Sequence, residues 1–189
     1  MARPKRFQSL LDLGRGTGLA GALFRPFVTQ LVGVDLSAAE IARAEAKGYY
    51  NRLVVGNLAA FLTNEIANQT KYDLVVAADV FVYLNDLAPV LAAIARALAP
   101  RGIVTFTVET HSGAGVALLP TLRFAHADGY LRDAIAGAGL KLITLGKPPS
   151  APKKWCRLLA LWSSPLPAVP VRVRHPEVRV KRASKDERP

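Results

Sequence analysis

The sequence predicts an α/β domain with a mostly parallel sheet. Apolar runs alternate with helical patterns five times along residues 8–108, the rhythm of strand–helix crossovers. The run at residues 72–78, YDLVVAA, is apolar almost throughout, as befits a strand buried on both faces. A glycine-rich turn, GRGTG, separates the first apolar run from the first helical pattern.

Residues 8–13 (QSLLDL) read as the first strand, and the helix after the glycines extends to about residue 27. Residues 30–34 (QLVGV) form the second strand. Ser37 and Glu40 make a capping box: the Ser37 hydroxyl accepts from the Glu40 N–H, and the Glu40 carboxylate reaches back to Ser37. The helix so opened ends at Gly48, a residue suited to the left-handed position beyond a helix terminus. Residues 52–55 are a third strand, followed by a helix to about residue 68. After the strand at 72–78, residues 87–98 form an alanine-rich helix that tolerates Pro89 in its first turn. The turn Pro100-Arg101-Gly102 leads into a strand at 103–108. Residues 111–126 carry no clear period and read as a looser stretch, while 130–138 are helical. Two further strands, 140–145 and 155–162, are joined by a short proline-containing link. Such a link suits an antiparallel pair, because a parallel crossover takes about a dozen residues or more.

Hydrophobic residues make up 51% of the chain, enough to bury a core and to exclude wholesale disorder. No stretch approaches the roughly 18 apolar residues of a membrane span. The basic start lacks the apolar core of a signal peptide, so a cytoplasmic setting is expected. Cys156 is the only cysteine, and His111, His126 and His175 are the only histidines. Neither a disulfide framework nor a metal site is therefore expected. Of the net charge of +11, +7 falls in residues 150–189. Residues 163–189, rich in proline and charge, read as a disordered, solvated basic tail beyond a domain at 1–162, in preference to a nucleic-acid contact.

Chemistry concentrates at Asp12-Leu-Gly14-Arg-Gly16-Thr-Gly18, between the first strand and the first helix. Glycines there let the backbone turn left-handed and let a ligand approach closely. The helix start offers free N–H groups and a positive dipole end. Such a loop suits a phosphate or an amino-acid carboxylate. Asp35 closes the second strand, where a carboxylate can accept from both hydroxyls of a ribose, so the pair makes a nucleoside-binding arrangement. Gly16-Thr-Gly18-Leu-Ala-Gly21 also matches the dinucleotide fingerprint formally. Against that reading, Gly14 and Arg15 intervene before its first glycine. Asp12 would also repel a pyrophosphate, whereas it is a good partner for a cationic amino group.

In order along the chain, LLDLGRGTG, LVGVDLS, VVGNLAAF, YDLVVAADVFVYL and LAPRGIVTFTVE resemble the motifs of class I S-adenosylmethionine-dependent methyltransferases, the resemblance running over residues 8–162. AADVFVYLNDL and RFAHADGYLRDAIAGAGL are similar to predicted methyltransferases that often carry tetratricopeptide repeats; the chain has no such repeats. The resemblance implies a Rossmann-like, doubly wound sheet of seven strands ending in an antiparallel pair. The N-terminal helices usual in the family find no counterpart in the seven residues before the first strand. It implies S-adenosylmethionine as cofactor, with Gly14, Gly16 and Gly18 against the methionine part and Asp12 orienting that part through its amino group or a water. Asp35 would hold the ribose, Leu36 would lie against the adenine, Asn57 and Leu58 would sit at the adenine edge, and Asp79 would border the methyl-transfer site. The family often has Asp where Asn57 stands.

The implied reaction is methyl transfer to a small-molecule acceptor, by O- or C-methylation. The segment Asp79-Val-Phe-Val82 lacks the two prolines that follow the Asp or Asn of enzymes methylating nucleic-acid amino groups. Candidates for a general base or a catalytic side chain are His111, His126 and Tyr83. Arg15 stands where the family has a small residue, often Cys. An extra cation near a sulfonium is unfavourable unless it pairs with the methionine carboxylate, and the repulsive reading is preferred because the loop's own N–H groups serve a carboxylate. Two rival readings are a nicotinamide- or flavin-binding oxidoreductase and a degenerate, non-catalytic cofactor-binding subunit. Residues 163–189 are expected to be dispensable for folding. Their deletion should leave the thermal midpoint nearly unchanged in a calorimetric scan, and a fall of many degrees would place them on the domain.

Overall fold

Alternate residues of the first strand serve opposite faces of the sheet, and from this alternation the architecture follows. In the computed structural model, which describes residues 7–16, 18–146 and 155–162, the elements run β1 (Phe7–Leu13), α1 (Leu19–Phe24), β2 (Val28–Asp35), α2 (Ala38–Glu45), β3 (Arg52–Val55), α3 (Leu58–Ala67), β4 (Tyr72–Ala77), α4 (Ala88–Ala97), β5 (Leu98–Glu109), β6 (Val116–Leu118), β7 (Phe124–His126), α5 (Asp128–Gly137), β8 (Leu140–Gly146) and β9 (Trp155–Trp162). Leu11 and Leu13, with Val75, Ala77, Phe106 and Val108, pack under α3, α4 and α5. Leu10, with Leu31, Leu74 and Val76, faces the other way, toward Ala20 and Phe24 of the α1 region and toward Tyr49 and Tyr50. Each fully buried leucine contributes about 1.5–3 kcal/mol of transfer free energy.

The strand order β3-β2-β1-β4-β5 is parallel throughout. β9 lies antiparallel against β5, and β8 antiparallel against β9, so the seven expected strands form one sheet with the expected antiparallel pair. Two strands were not foreseen. β6 and β7 form a hairpin within the stretch expected to be loose, and β7 joins β5 in parallel at Glu109 alone. β9 occupies one edge of β5 from Ile103 to Glu109, and β4 occupies the other only as far as Phe106. The hairpin therefore sits on the edge that β4 vacates, directly beyond the carboxyl end of β4.

Three local expectations are corrected. The first helix has six residues, not nine: it ends at Phe24, and Pro26, lacking an N–H, turns residues 25–27 into a single tight turn. The capping box forms in one direction only. Ser37 accepts from the Glu40 N–H at 3.3 Å, but the Glu40 carboxylate pairs with Arg43 at 2.6 Å, because the Ser37 N–H is already taken by Asp35. β5 is twelve residues long, starting at Leu98, with Arg101 in the left-handed region at a shift of register. The expected tail at 163–189, the link at 147–154 and residues 1–6 lie outside the described residues.

Phe106 is fully buried and meets Phe81 with ring centroids 4.9 Å apart. Phe106→Ala is expected to cost about 3–5 kcal/mol in urea unfolding; a loss below 1 kcal/mol would mean that the centre of the sheet is loosely packed.

Candidate functional site

The glycine turn is held from below by the second strand. The Gly14 and Arg15 N–H groups donate to the Val34 carbonyl at 2.9 and 3.4 Å, and the Gly16 N–H donates to Asp35 Oδ2 at 2.8 Å. The other Asp35 oxygen accepts from the Ser37 N–H at 2.9 Å. Gly14 and Gly16 have φ of 61° and 49°. At Gly14 a side chain is also excluded by space, since its Cβ would lie 2.3 Å from Val80 Cγ2. Gly16 has nothing within 4 Å of its Cβ position, so the turn offers open backbone on its outer side. Gly18, φ 78°, precedes α1. The short α1 weakens the expected helix-dipole contribution.

Asp12 lies beneath this turn, 1% exposed, and the Tyr50 hydroxyl donates to its Oδ2 at 2.6 Å. Burial pushes its pKa up to about 7; Tyr50 and Arg15 oppose that shift, and Asp35 adds to it. Arg15 is 5% exposed. Its side chain runs under the turn, over Gly33 and beside the Tyr50 ring, with the guanidinium carbon 5.3 Å from the ring centroid. One nitrogen donates to the Gly16 carbonyl at 3.1 Å, while Nε and Nη2 are buried without a hydrogen-bond partner among the described residues. The departure at position 15 is thus accommodated by a glycine opposite, and its charge faces Asp12.

Beside Asp35, Leu36 and Val55 stand exposed. Asn57 caps α3, its side-chain oxygen accepting from the Ala59 and Ala60 N–H groups at 2.8 and 3.3 Å. Leu58 turns toward the core under α3. At the end of β4, Asp79 adopts a left-handed φ of 58° and donates its N–H to Thr107 Oγ1 at 2.8 Å. Arg123, from the turn before β7, pairs with Asp79 and, at 2.9 Å, with the buried Glu109. It also lies over the ring of Tyr83, 5.3 Å from the centroid.

The two candidate histidines occupy the flanks of the hairpin. Both His111 ring nitrogens engage their own loop, at Gly113 and Gly115. His126 is fully buried, its Nε2 2.9 Å from the Leu84 carbonyl and its Nδ1 without a partner. Burial holds its pKa below the ordinary value; His111 reinforces this, while the Leu84 carbonyl and Asp86 oppose it. Tyr130 packs beside His126, accepting from the Leu87 N–H and donating to Asp86. No group of three or more His, Cys, Asp or Glu side chains among the described residues could hold a metal ion. No helix among them is long and apolar enough to cross a membrane. An open cavity of about 330 Å³ beside β3 and α3 lies elsewhere, and its Glu65 is already paired with Arg52 and Tyr72.

Thus Asp12, Gly14, Gly16, Gly18, Asp35 and Leu36 come together at the carboxyl ends of β1 and β2, and Asp79 and Tyr83 stand at the end of β4. Sequence reasoning missed Tyr50, Val55, Glu109 and Arg123. Glu109 had a readable signal, a carboxylate closing an apolar strand as Asp79 does. The open Gly16 backbone, the Asp35 carboxylate at its lip and the exposed Leu36 and Val55 fit a nucleoside carrying an amino-acid end. Asp12 and the orphaned Arg15 nitrogens beneath the turn complement the charges of that end.

Comparison with known proteins agrees. A family described as "Methyltransferase domain" matches residues 1–168. A ubiquinone biosynthesis O-methyltransferase from Rhodopseudomonas palustris (strain BisB5) is 30% identical over 95 residues, which cover 50% of this chain and 37% of that protein. The chain thus matches well under half the length of this curated relative. An S-adenosylmethionine-dependent methyltransferase from Clostridium acetobutylicum ATCC 824 superposes with a TM-score of 0.68 at 16% identity, covering 84% of this chain and 85% of that one. Magnesium protoporphyrin IX methyltransferase from Synechocystis PCC 6803, with bound S-adenosylmethionine, superposes with a TM-score of 0.65 at 18% identity, covering 85% and 71%. A glycine turn pinned by the acid of the second strand, on a sheet of this order and with this family match, leaves one assignment: the chain belongs to the S-adenosylmethionine-dependent methyltransferase family, of the class I fold.

Proposed function

We propose that this domain transfers the methyl group of S-adenosylmethionine to an oxygen of a small-molecule acceptor. The observation that carries the reading is the pinned turn between Asp12 and Asp35: one carboxylate beneath it, the other at its lip, and open backbone at Gly16. The family membership sets aside the nicotinamide or flavin alternative. The O-methyltransferase relatives support oxygen as the acceptor atom.

When bound, the cofactor supplies an electrophilic methyl carbon. The protein's contribution is then chiefly proximity and alignment, worth about 7–11 kcal/mol in well-oriented cases. Asp35, with oxygens engaged once each by Gly16 and Ser37, keeps lone pairs for two ribose hydroxyls. Leu36 and Val55 would flank the adenine, with Asn57 and the Leu58 backbone at its edge. Asp12 would take the amino group. The acceptor would enter along the rim formed by Asp79, Tyr83 and the β6–β7 hairpin.

A hydroxyl acceptor needs a proton acceptor. Both His111 ring nitrogens are engaged by their own loop, and His126 is fully buried with Nδ1 shut off from solvent, so neither ring is presented to an acceptor and the proton passes to solvent. Tyr83 serves better as a wall for the acceptor, since Arg123 covers its ring.

Calorimetric titration with S-adenosylhomocysteine, followed by transfer of labelled methyl to a panel of phenols, carboxylates and amines, tests the reading. Binding with labelling of hydroxyl compounds is expected. Binding with no transfer to any compound would favour the non-catalytic subunit, and labelling of amines alone would overturn the oxygen assignment. Asp35→Ala should weaken S-adenosylhomocysteine binding at least tenfold, because hydrogen bonds to a charged group are worth roughly 1.5–3 kcal/mol each. An unchanged dissociation constant with an intact circular dichroism spectrum would remove Asp35 from the site.

A further inference from the structure

We propose that Tyr50 is a positioning residue for the amino-acid end of the cofactor, acting through Asp12. The inference rests on the reading above, in which Asp12 takes the cofactor's amino group.

Tyr50 reaches its place by construction from three separate elements. Its ring lies in a slot between the glycine turn, α1 and β2. A Cβ at Gly18, Gly21 or Gly33 would lie 3.2, 2.6 or 2.9 Å from a ring carbon. Gly21 and Gly33 admit the ring only because they lack a side chain, and a side chain at Gly18 would crowd it. The next residue locks the backbone: the Asn51 N–H donates to the Leu31 carbonyl at 2.8 Å, and its side-chain oxygen accepts from the Leu31 N–H at 2.8 Å and from Arg25 at 2.8 Å. Ring and backbone are therefore both fixed, and the hydroxyl arrives at Asp12 with no freedom to point elsewhere.

Packing alone would be satisfied by a phenylalanine. What the hydroxyl adds is a donor to a carboxylate that has almost no contact with water. A buried carboxyl without such donors stays protonated at neutral pH, and a protonated Asp12 has no charge with which to attract an ammonium group. The charged and titratable groups facing it are Tyr50, Arg15 and Asp35. Tyr50 and Arg15 favour its ionised form; Asp35, at the end of the neighbouring strand, disfavours it. Tyr50 also aims the carboxylate, since one oxygen is fixed on the phenol and the other is left for the ligand.

Tyr50→Phe keeps the ring in its slot and removes only the donor. Binding of S-adenosylhomocysteine and of 5′-methylthioadenosine, which lacks the amino-acid end, would be measured for both proteins from pH 5.5 to 8.5. In the unmodified protein, S-adenosylhomocysteine should bind more tightly as pH rises through about 7, where Asp12 ionises, and 5′-methylthioadenosine should not follow that profile. In Tyr50→Phe the S-adenosylhomocysteine midpoint should move to higher pH, with about tenfold weaker binding at pH 7, while 5′-methylthioadenosine affinity stays unchanged. In an Asp12→Asn background, Tyr50→Phe should have no further effect on the ratio of the two affinities. Equal weakening of both ligands would show a purely structural role and overturn the proposal, as would an unmoved pH profile or a full Tyr50→Phe effect without the Asp12 carboxylate. An unmodified protein that binds neither ligand would overturn the cofactor reading itself.

Discussion

The carboxylate of Asp35 holds the site together. One oxygen takes the Gly16 N–H and the other the Ser37 N–H, so a single side chain joins the turn after β1 to the start of α2. Charge-assisted bonds of this kind are short and about twice as strong as neutral ones. With the Val34 carbonyl accepting from Gly14 and Arg15, they keep the left-handed Gly14 and Gly16 from relaxing. The same residue is also the acid expected to read the ribose. The structural role leaves room for the proposed one, because each oxygen has a second lone pair.

Around that anchor, charge is arranged in two separate groups. Under the turn, Asp12 meets Tyr50 and Arg15 in surroundings nearly closed to water. At the rim, Arg123 bridges Asp79 and Glu109 and covers Tyr83. The first group is dry, so removing one member leaves a costly neighbour behind. In the second, the Asp79 end lies open to solvent, and that part of the cluster is worth correspondingly less. It ties the β6–β7 hairpin to the ends of β4 and β5.

Much of this was readable in the amino-acid order. Alternating and continuous apolar runs located the strands of the main sheet, because burial on one or two faces leaves a period that needs no tertiary knowledge. Glycines at 14, 16 and 18 and the acid at 35 announced the turn through backbone chemistry. The hairpin escaped because three-residue strands are too short to carry a period. The one-sided capping box escaped because Ser37 gives its N–H to Asp35 two residues before it, a local contact that competes with the capping pattern. Tyr50 was invisible for a different reason. The slot that defines its role is made of Gly18, Gly21 and Gly33; the first two read in sequence as part of a dinucleotide fingerprint and the third as an interior strand residue, until the chain folds them around one ring. Arg15 seemed an intruder from its neighbours in sequence, but Gly33, its neighbour in space, makes room for it.

The position of β1 has a consequence for how the molecule folds. β1 is flanked by β2 on one side and β4 on the other, and Leu10 pairs with Leu74. The Val80 side chain, just past β4, abuts Gly14. Closing so long a loop costs conformational entropy before the contact can form. β5 in turn receives β9, Ile103 pairing with Leu161. The turn at Gly14 thus draws on partners both near and far along the chain: Val34 and Asp35 of the adjoining strand, and Val80 beyond β4, the last a contact of high sequence separation of the kind that slows folding.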